Sequence, residues 1–144
     1  MKTVLVDGCF DLLHVGHLWH LEEARKHGDR LVVSLTVDEV IREQKGAGRP
    51  IFPWKERAML LRGLRAVDEV IETVGGLDAL RLVRPQVFCK GSDYAHALLD
   101  EERALCKELG VEFIITEAMK VSTTETIKKA LENDAASGPW DGHK

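Results

Sequence analysis

KTVLVDGCFDLLHVGHLWHLEEARKHGD, residues 2–29, passes from one periodicity to another. KTVLVDG (2–8) is an unbroken apolar run, the pattern of a buried strand. HVGHLWHLEEARKHGD (14–29) spaces Leu18, Leu21 and Ala24 at helical steps, with Gly28 as a natural stop. GCFDLLHVGH (8–17) joins the two and holds two histidines, His14 and His17, at the helix start.

The alternation continues along the chain. RLVVSLTVD (30–38) reads as a strand, VIREQKGAGRPIFP (40–53) as a long polar loop after a short helical piece, and WKERAMLLRGLRAV (54–67) as a helix facing inward through Met59, Leu60, Leu64 and Val67. DEVIETV (68–74), QVFCKG (86–91) and VEFIITE (111–117) read as strands. GLDALRLVRP (76–85), AHALLDEERALCKELG (95–110) and STTETIKKALEN (122–133) read as helices. Strands separated by helices long enough for crossovers predict an α/β fold. The expectation is a single Rossmann-like domain over 1–133, a five-stranded parallel sheet with helices on both faces. DAASGPWDGHK (134–144) is read as a C-terminal tail in which Trp140 is available to a partner subunit.

Composition bounds the function. The chain has 144 residues, 44% hydrophobic and 31% charged, which suits one soluble globular domain. A net charge of −4 gives no general argument for nucleic acid as partner, although the positive charge is concentrated in the first half. Three cysteines, Cys9, Cys89 and Cys106, are an odd number without CxxC spacing. They fit a reducing cytoplasm, with Cys9 and Cys89 as small buried apolar residues. MKTVLVDG is too short in its apolar part for a signal peptide, and no run approaches the roughly 20 residues that span a bilayer.

In an open parallel sheet, ligands sit beyond the carboxyl ends of the strands. Four polar clusters follow strands: GCFDLLHVGH, QKGAGRP, KGSDY and VSTTE. His14 and His17 allow three readings. With Cys9 and Asp11 they make a metal set on paper; as an isolated pair they suit packing; at a helix start they suit phosphate. Gly16 between them, in a first turn with free N–H groups and the positive end of a helix dipole, favours the phosphate reading. Imidazoles there can donate to phosphate oxygens as charge builds in a transition state. Lys45 sits where a flexible loop would close over a polyphosphate, and Arg49 is similar, although either alone would pass as a surface cation. Asp93 suits a helix cap as well as a ligand contact beside Lys90. Ser122, Thr123 and Thr124 form an N-cap run that can also cradle phosphate. GxGxxG and GxxxxGK[ST] are both absent, which argues against a dinucleotide fingerprint or a P-loop.

GCFDLLHVGH with the later VSTTE resembles the cytidylyltransferase-like (HxGH) nucleotidyltransferases, over almost the whole chain from Val4 to about Leu131. The resemblance implies transfer of a nucleotidyl group from a nucleoside triphosphate, ATP or CTP, to a phosphorylated sugar or alcohol, with release of pyrophosphate and with Mg2+ accompanying the triphosphate. It implies that His14 and His17 stabilise charge at the α-phosphate and that Lys45 closes on the phosphates. Cys9, Phe10, Gly16, Lys90, Asp93, Ser122, Thr123 and Thr124 would form the nucleotide site, and Asp7, Asp11 and Arg49 the acceptor site, with no metal held by the protein itself. A homodimer or larger assembly is implied, with neither nucleic acid nor membrane as partner.

Within that family, glycerol-3-phosphate cytidylyltransferases carry RTxGIS before the final threonines. This chain has EAMKVS, with Glu117 in place of the arginine. KGSDY and GRP are closer to the adenylyltransferase domain of ADP-heptose synthesis, from which Ser92 and Asp7 depart. The expectation is a heptose-type sugar-phosphate adenylyltransferase. An alcohol-phosphate cytidylyltransferase and a non-catalytic nucleotide-binding regulatory module are the alternatives.

Overall fold

Leu5 and its neighbours Val4 and Val6 are all fully buried, because both faces of their strand are covered. The computed structural model describes residues 1–91, 96–117 and 123–137, with only the backbone of 96–98, 123, 136 and 137. Five strands form one sheet: β1 (Thr3–Gly8), β2 (Arg30–Thr36), β3 (Glu69–Thr73), β4 (Val87–Gly91) and β5 (Glu112–Thr116). Every pairing is parallel, in the order β3-β2-β1-β4-β5. The chain steps outward from β1 to β3, then returns to the other side of β1 with β4. The gap between β1 and β4 is therefore the switch point where such sheets hold ligands.

Six helices are found among the described residues: α1 (Val15–Arg25), α2 (Asp38–Lys45), α3 (Trp54–Arg62), α4 (Gly76–Val83), α5 (His96–Leu109) and α6 (Thr123–Ser137). Strand alternation divides the core in two. Val4, Val6, Val33 and Cys89 meet Leu21 and Ala24 of α1 and Ala58 and Leu61 of α3 on one face. Leu5, Val32 and Phe88 meet Ala79 and Leu80 of α4 and Leu105 and Cys106 of α5 on the other. Burying each large aliphatic side chain contributes about 1.5–3 kcal/mol, so the sheet is held chiefly from its middle strands. Gly28 lets the turn after α1 cross the start of β1. A Cβ there would lie 2.6 Å from the Lys2 carbonyl oxygen and 2.7 Å from a Val4 methyl.

The expected five strands and two-sided helix cover are present, and three expectations are corrected. The short helical piece expected before the polar loop is α2, but Lys45, expected on the flexible loop, is its last residue. Gly46, at φ 104°, ends the helix in a conformation that glycine adopts without strain. The inward face of α3 is Arg57, Ala58 and Leu61, whereas Met59 and Leu60 are exposed. Apolar spacing misled here because α3 buries a charged residue whose polar atoms are all used, as described below. Finally, α6 runs on to Ser137, past the expected boundary at Asn133.

Candidate active site

The strand ends open on a cavity of about 520 Å3, lined by Asp7, Cys9, Phe10 and Asp11 after and within β1, by His17, by Lys45, and by Lys90 on β4. Seven of the residues singled out in the sequence thus share one wall. The remainder of the lining was not anticipated: Thr36, Gln44 and the segment Val74–Asp78. VGGLD follows the third strand, so the strand-end rule that selected the other clusters would have found it too.

His14 is the N-cap of α1, in extended backbone (φ −137°, ψ 177°), and the two histidines cap the helix reciprocally. Gly16 N–H donates to His14 Nδ1 at 3.1 Å, and His14 N–H donates to His17 Nδ1 at 3.2 Å. Both Nδ1 atoms are therefore acceptors, which leaves the proton of each neutral ring on Nε2. The rings stack with centroids 3.8 Å apart at 20°. Burial lowers the pKa of both, and electrostatic interaction with His14, His20 and Lys45 further disfavours a charge on His17, pushing it down to about 3. The site holds a pair of uncharged N–H donors. His14 Nε2 is buried and has no hydrogen-bond partner among the described residues.

This geometry corrects the reason for Gly16. Its N–H is taken by His14 Nδ1, so it is not free for an anion. The cap leaves Nε2–H as the donor of each ring; His17 lines the cavity, whereas His14 is not part of its wall and its Nε2 is buried. Phe10 packs edge-on against His17, with centroids 5.2 Å apart, and holds the ring from the β1 side. Its φ of 44° is unusual for a residue with a side chain, a local strain that the surrounding packing must offset.

Asp11, which lines the cavity, also anchors a loop. Its carboxylate accepts from Ile51 N–H (2.7 Å), Phe52 N–H (3.0 Å) and Arg49 Nε (2.8 Å). Burial opposes the charged form, but these donors outweigh it and hold the carboxyl below its usual range. Asp11 thus fastens residues 49–52 to the end of β1. Arg49 reaches on to Thr124 Oγ1 at 3.3 Å, linking that loop to the first turn of α6, and its buried Nη2 has no hydrogen-bond partner among the described residues. Thr123 opens α6 and its side chain is outside the description; Asp93 and Ser122 lie outside the described residues altogether.

Arg57 is the functional residue most completely missed. Its guanidinium is fully buried and donates to the carbonyl oxygens of Cys9 (2.8 Å), Thr36 (3.0 Å) and Phe52 (2.9 Å), and it pairs with Asp38. One side chain thereby ties the ends of β1 and β2 to the loop that Asp11 fastens. Cys9 lines the cavity and is only partly buried, unlike Cys89, so it is not the core residue expected; burial raises its thiol pKa. All three cysteines are free.

At the cavity floor, Asp7 Oδ1 accepts from Ser34 Oγ at 2.7 Å, and Ser34 is in turn hydrogen-bonded to Thr73. Lys90 Nζ is 3.5 Å from Asp7 Oδ2. Burial raises the Asp7 pKa despite that ammonium. Glu117, where the arginine of RTxGIS would stand, is exposed, and its carbonyl accepts from Trp19 Nε1 at 3.0 Å. Among the described residues no three His, Cys, Asp or Glu side chains are placed to hold a metal ion, and no helix is long and apolar enough to cross a membrane.

Fold and site together define a doubly wound α/β domain with a cavity at its switch point, walled in part by His17. The chain belongs to the cytidylyltransferase-like family, whose model matches residues 5–129. It is 39% identical to the bifunctional protein HldE of Methylococcus capsulatus over 134 residues, 92% of this chain and 28% of that protein. It is 48% identical to the bifunctional protein HldE of Koribacter versatilis over 96 residues, 65% of this chain and 20% of that one. The chain thus spans under a third of the length of these relatives. Among solved structures it is similar to a lipopolysaccharide core biosynthesis protein from Thermoplasma volcanium, with a TM-score of 0.71 and 29% identity, over 83% of this chain and 99% of that one. A pantoate-beta-alanine ligase from Francisella tularensis shares the fold, with a TM-score of 0.59 at 14% identity over 96% of this chain and 74% of that one.

Proposed function

We propose that this chain transfers the nucleotidyl group of a nucleoside triphosphate to a phosphorylated small molecule, and that the pair is ATP and a sugar phosphate of the heptose type. The observation that carries this reading is the fixed orientation of the two histidines. Their Nδ1 atoms are occupied by backbone N–H groups, so their Nε2–H groups are available as neutral donors. An oxygen of the acceptor phosphate attacks the α-phosphorus. The bond from that phosphorus to the β-phosphate oxygen breaks, and pyrophosphate leaves with the electron pair. No protein nucleophile is required, because such transfers gain mainly from positioning and charge stabilisation.

His17, in the cavity wall, donates to the oxygens of the α-phosphate as negative charge gathers there, and His14 supports it from behind. Donors aimed at developing charge contribute about 10²–10³ in turnover each. Neutral donors serve well because they keep their hydrogen across the working pH range. Lys45, exposed at the end of α2, is free to swing toward the phosphates. Arg49, expected in the acceptor half, is assigned with the first turn of α6 to the far end of the triphosphate because it reaches Thr124 Oγ1. Mg2+ accompanying the triphosphate would neutralise phosphate charge. Asp7 at the floor meets the hydroxyl-bearing part of the acceptor, which favours a polyol over an apolar alcohol. We assign Lys90, expected in the nucleotide half, to the same end because its ammonium is 3.5 Å from Asp7 Oδ2.

Both curated relatives described above bear the name HldE, and Glu117 stands where the alcohol-phosphate enzymes have arginine; both facts support the sugar-phosphate reading. A panel of ATP, CTP, GTP and UTP with sugar and alcohol phosphates, read by pyrophosphate release, tests it. Turnover with ATP and a heptose phosphate is expected. Turnover confined to CTP and an alcohol phosphate would select the other acceptor class. Silence across the panel would leave a non-catalytic nucleotide-binding module.

A further inference from the structure

Glu102 lies on α5 and is fully buried, yet it is absent from the cavity wall. Its Oε2 is 3.1 Å from Lys90 Nζ, so the ammonium stands between a carboxylate behind it and Asp7 in front. The Glu102 carboxyl group also occupies the space where a side chain at position 76 would begin. A Cβ on Gly76 would meet Oε2 at 3.0 Å, Cδ at 3.1 Å and Oε1 at 3.2 Å. Gly76 is the first residue of α4 and lines the cavity. One hidden carboxylate therefore touches the end of β4 and the start of α4, both of which wall the site.

The geometry points to Glu102 as a positioning residue for acceptor binding, acting through Lys90 and Gly76; this rests on the transferase reading given above. Stability alone does not account for it. A buried ion pair rarely outdoes an apolar pair of similar volume, because desolvation of both charges offsets their attraction. What the pair does is divide the ammonium between two carboxylates. Glu102 draws Lys90 back from the cavity, so Asp7 is not fully neutralised by it and keeps acceptor capacity for a ligand hydroxyl. Removing the charge of Glu102 hands Lys90 to Asp7, which masks that capacity. The nucleotide half of the site, at His17 and Lys45, is untouched by that change.

The test compares wild type with E102Q and with E101Q, whose residue is the exposed neighbour on α5. With the triphosphate and acceptor that wild type turns over, E102Q is expected to raise the acceptor KM about tenfold, equivalent to about 1.4 kcal/mol. The triphosphate KM and kcat should stay within twofold, and E101Q should match wild type. In parallel, the Lys90 side-chain ammonium signal in a 15N–1H spectrum should move in E102Q and not in E101Q. If E102Q folds poorly, E102D, which keeps the charge but draws the carboxylate back from Lys90, should show the same KM split. An unchanged acceptor KM in a folded variant, or a fall in all kinetic parameters together with Tm, overturns the role. If wild type is silent across the substrate panel, the transferase reading fails by itself. The Lys90 signal then still decides whether Glu102 holds that ammonium, and an unmoved signal overturns the inference.

Discussion

His14 and His17 lie stacked, 3.8 Å between ring centroids, and each accepts a backbone N–H on Nδ1. The cap of α1 and the chemistry of the site are thus one structure. The helix start fixes which nitrogen of each ring carries the proton, and the rings in return satisfy the first-turn donors. Nitrogen-15 spectra should show the Nε2–H tautomer at both residues at pH 7, and His17 still neutral at pH 5. An imidazolium at either residue at pH 7 would contradict the neutral-donor account.

Stability should depend on pH through the same ring. Burial, chiefly, lowers the folded pKa of His17 from 6.5 to about 3, so the unfolded chain binds the proton first as pH falls. Its contribution is complete above about pH 6.5 and erodes between there and about pH 3. H17Q, which cannot titrate, should lose less Tm between pH 7.5 and pH 5 than wild type does. Equal losses would show that another group sets the slope.

Asp11 should act as the fastener of the 46–53 loop. D11N turns one of its acceptor oxygens into a donor facing Ile51 and Phe52 N–H groups. Leaving such donors unpaired costs about 1–3 kcal/mol. Faster proteolysis within the loop and a higher triphosphate KM should accompany the loss. A stable D11N with an intact loop and a raised acceptor KM would restore the direct substrate role.

Arg57 should matter to stability as much as a large apolar residue of α3, and more to the loop. R57M keeps much of the volume but leaves the carbonyls of Cys9, Thr36 and Phe52 without these donors and Asp38 without this partner. A loss of about 3 kcal/mol or more is expected by urea unfolding. L61A, a large-to-small core change, should cost about 2–5 kcal/mol without comparable loss of the loop geometry.

Much of this was legible in the chain because it obeys local rules. The β1 run and the strand-end clusters that hold Asp7–Asp11, Lys45 and Lys90 identified the fold and the cavity. Sequence failed where polar groups satisfy one another through space. Arg57 sits on an inward helix face that apolar spacing assigned to Met59 and Leu60, and nothing local announces three carbonyls waiting for it. Asp11 carries no sequence mark of the loop N–H groups that it binds 40 residues later. Gly16 was read as an open anion site because the capping role of His14 depends on ring orientation, which spacing does not encode.

The central claim is that His17 acts on the transition state and not on nucleotide binding. Its most direct measurement is turnover of H17A beside the dissociation constant of the triphosphate, on the same protein. A fall in kcat of about 10²–10³ with affinity within a few-fold is the expected result. Affinity lost in proportion, with kcat retained, would contradict it.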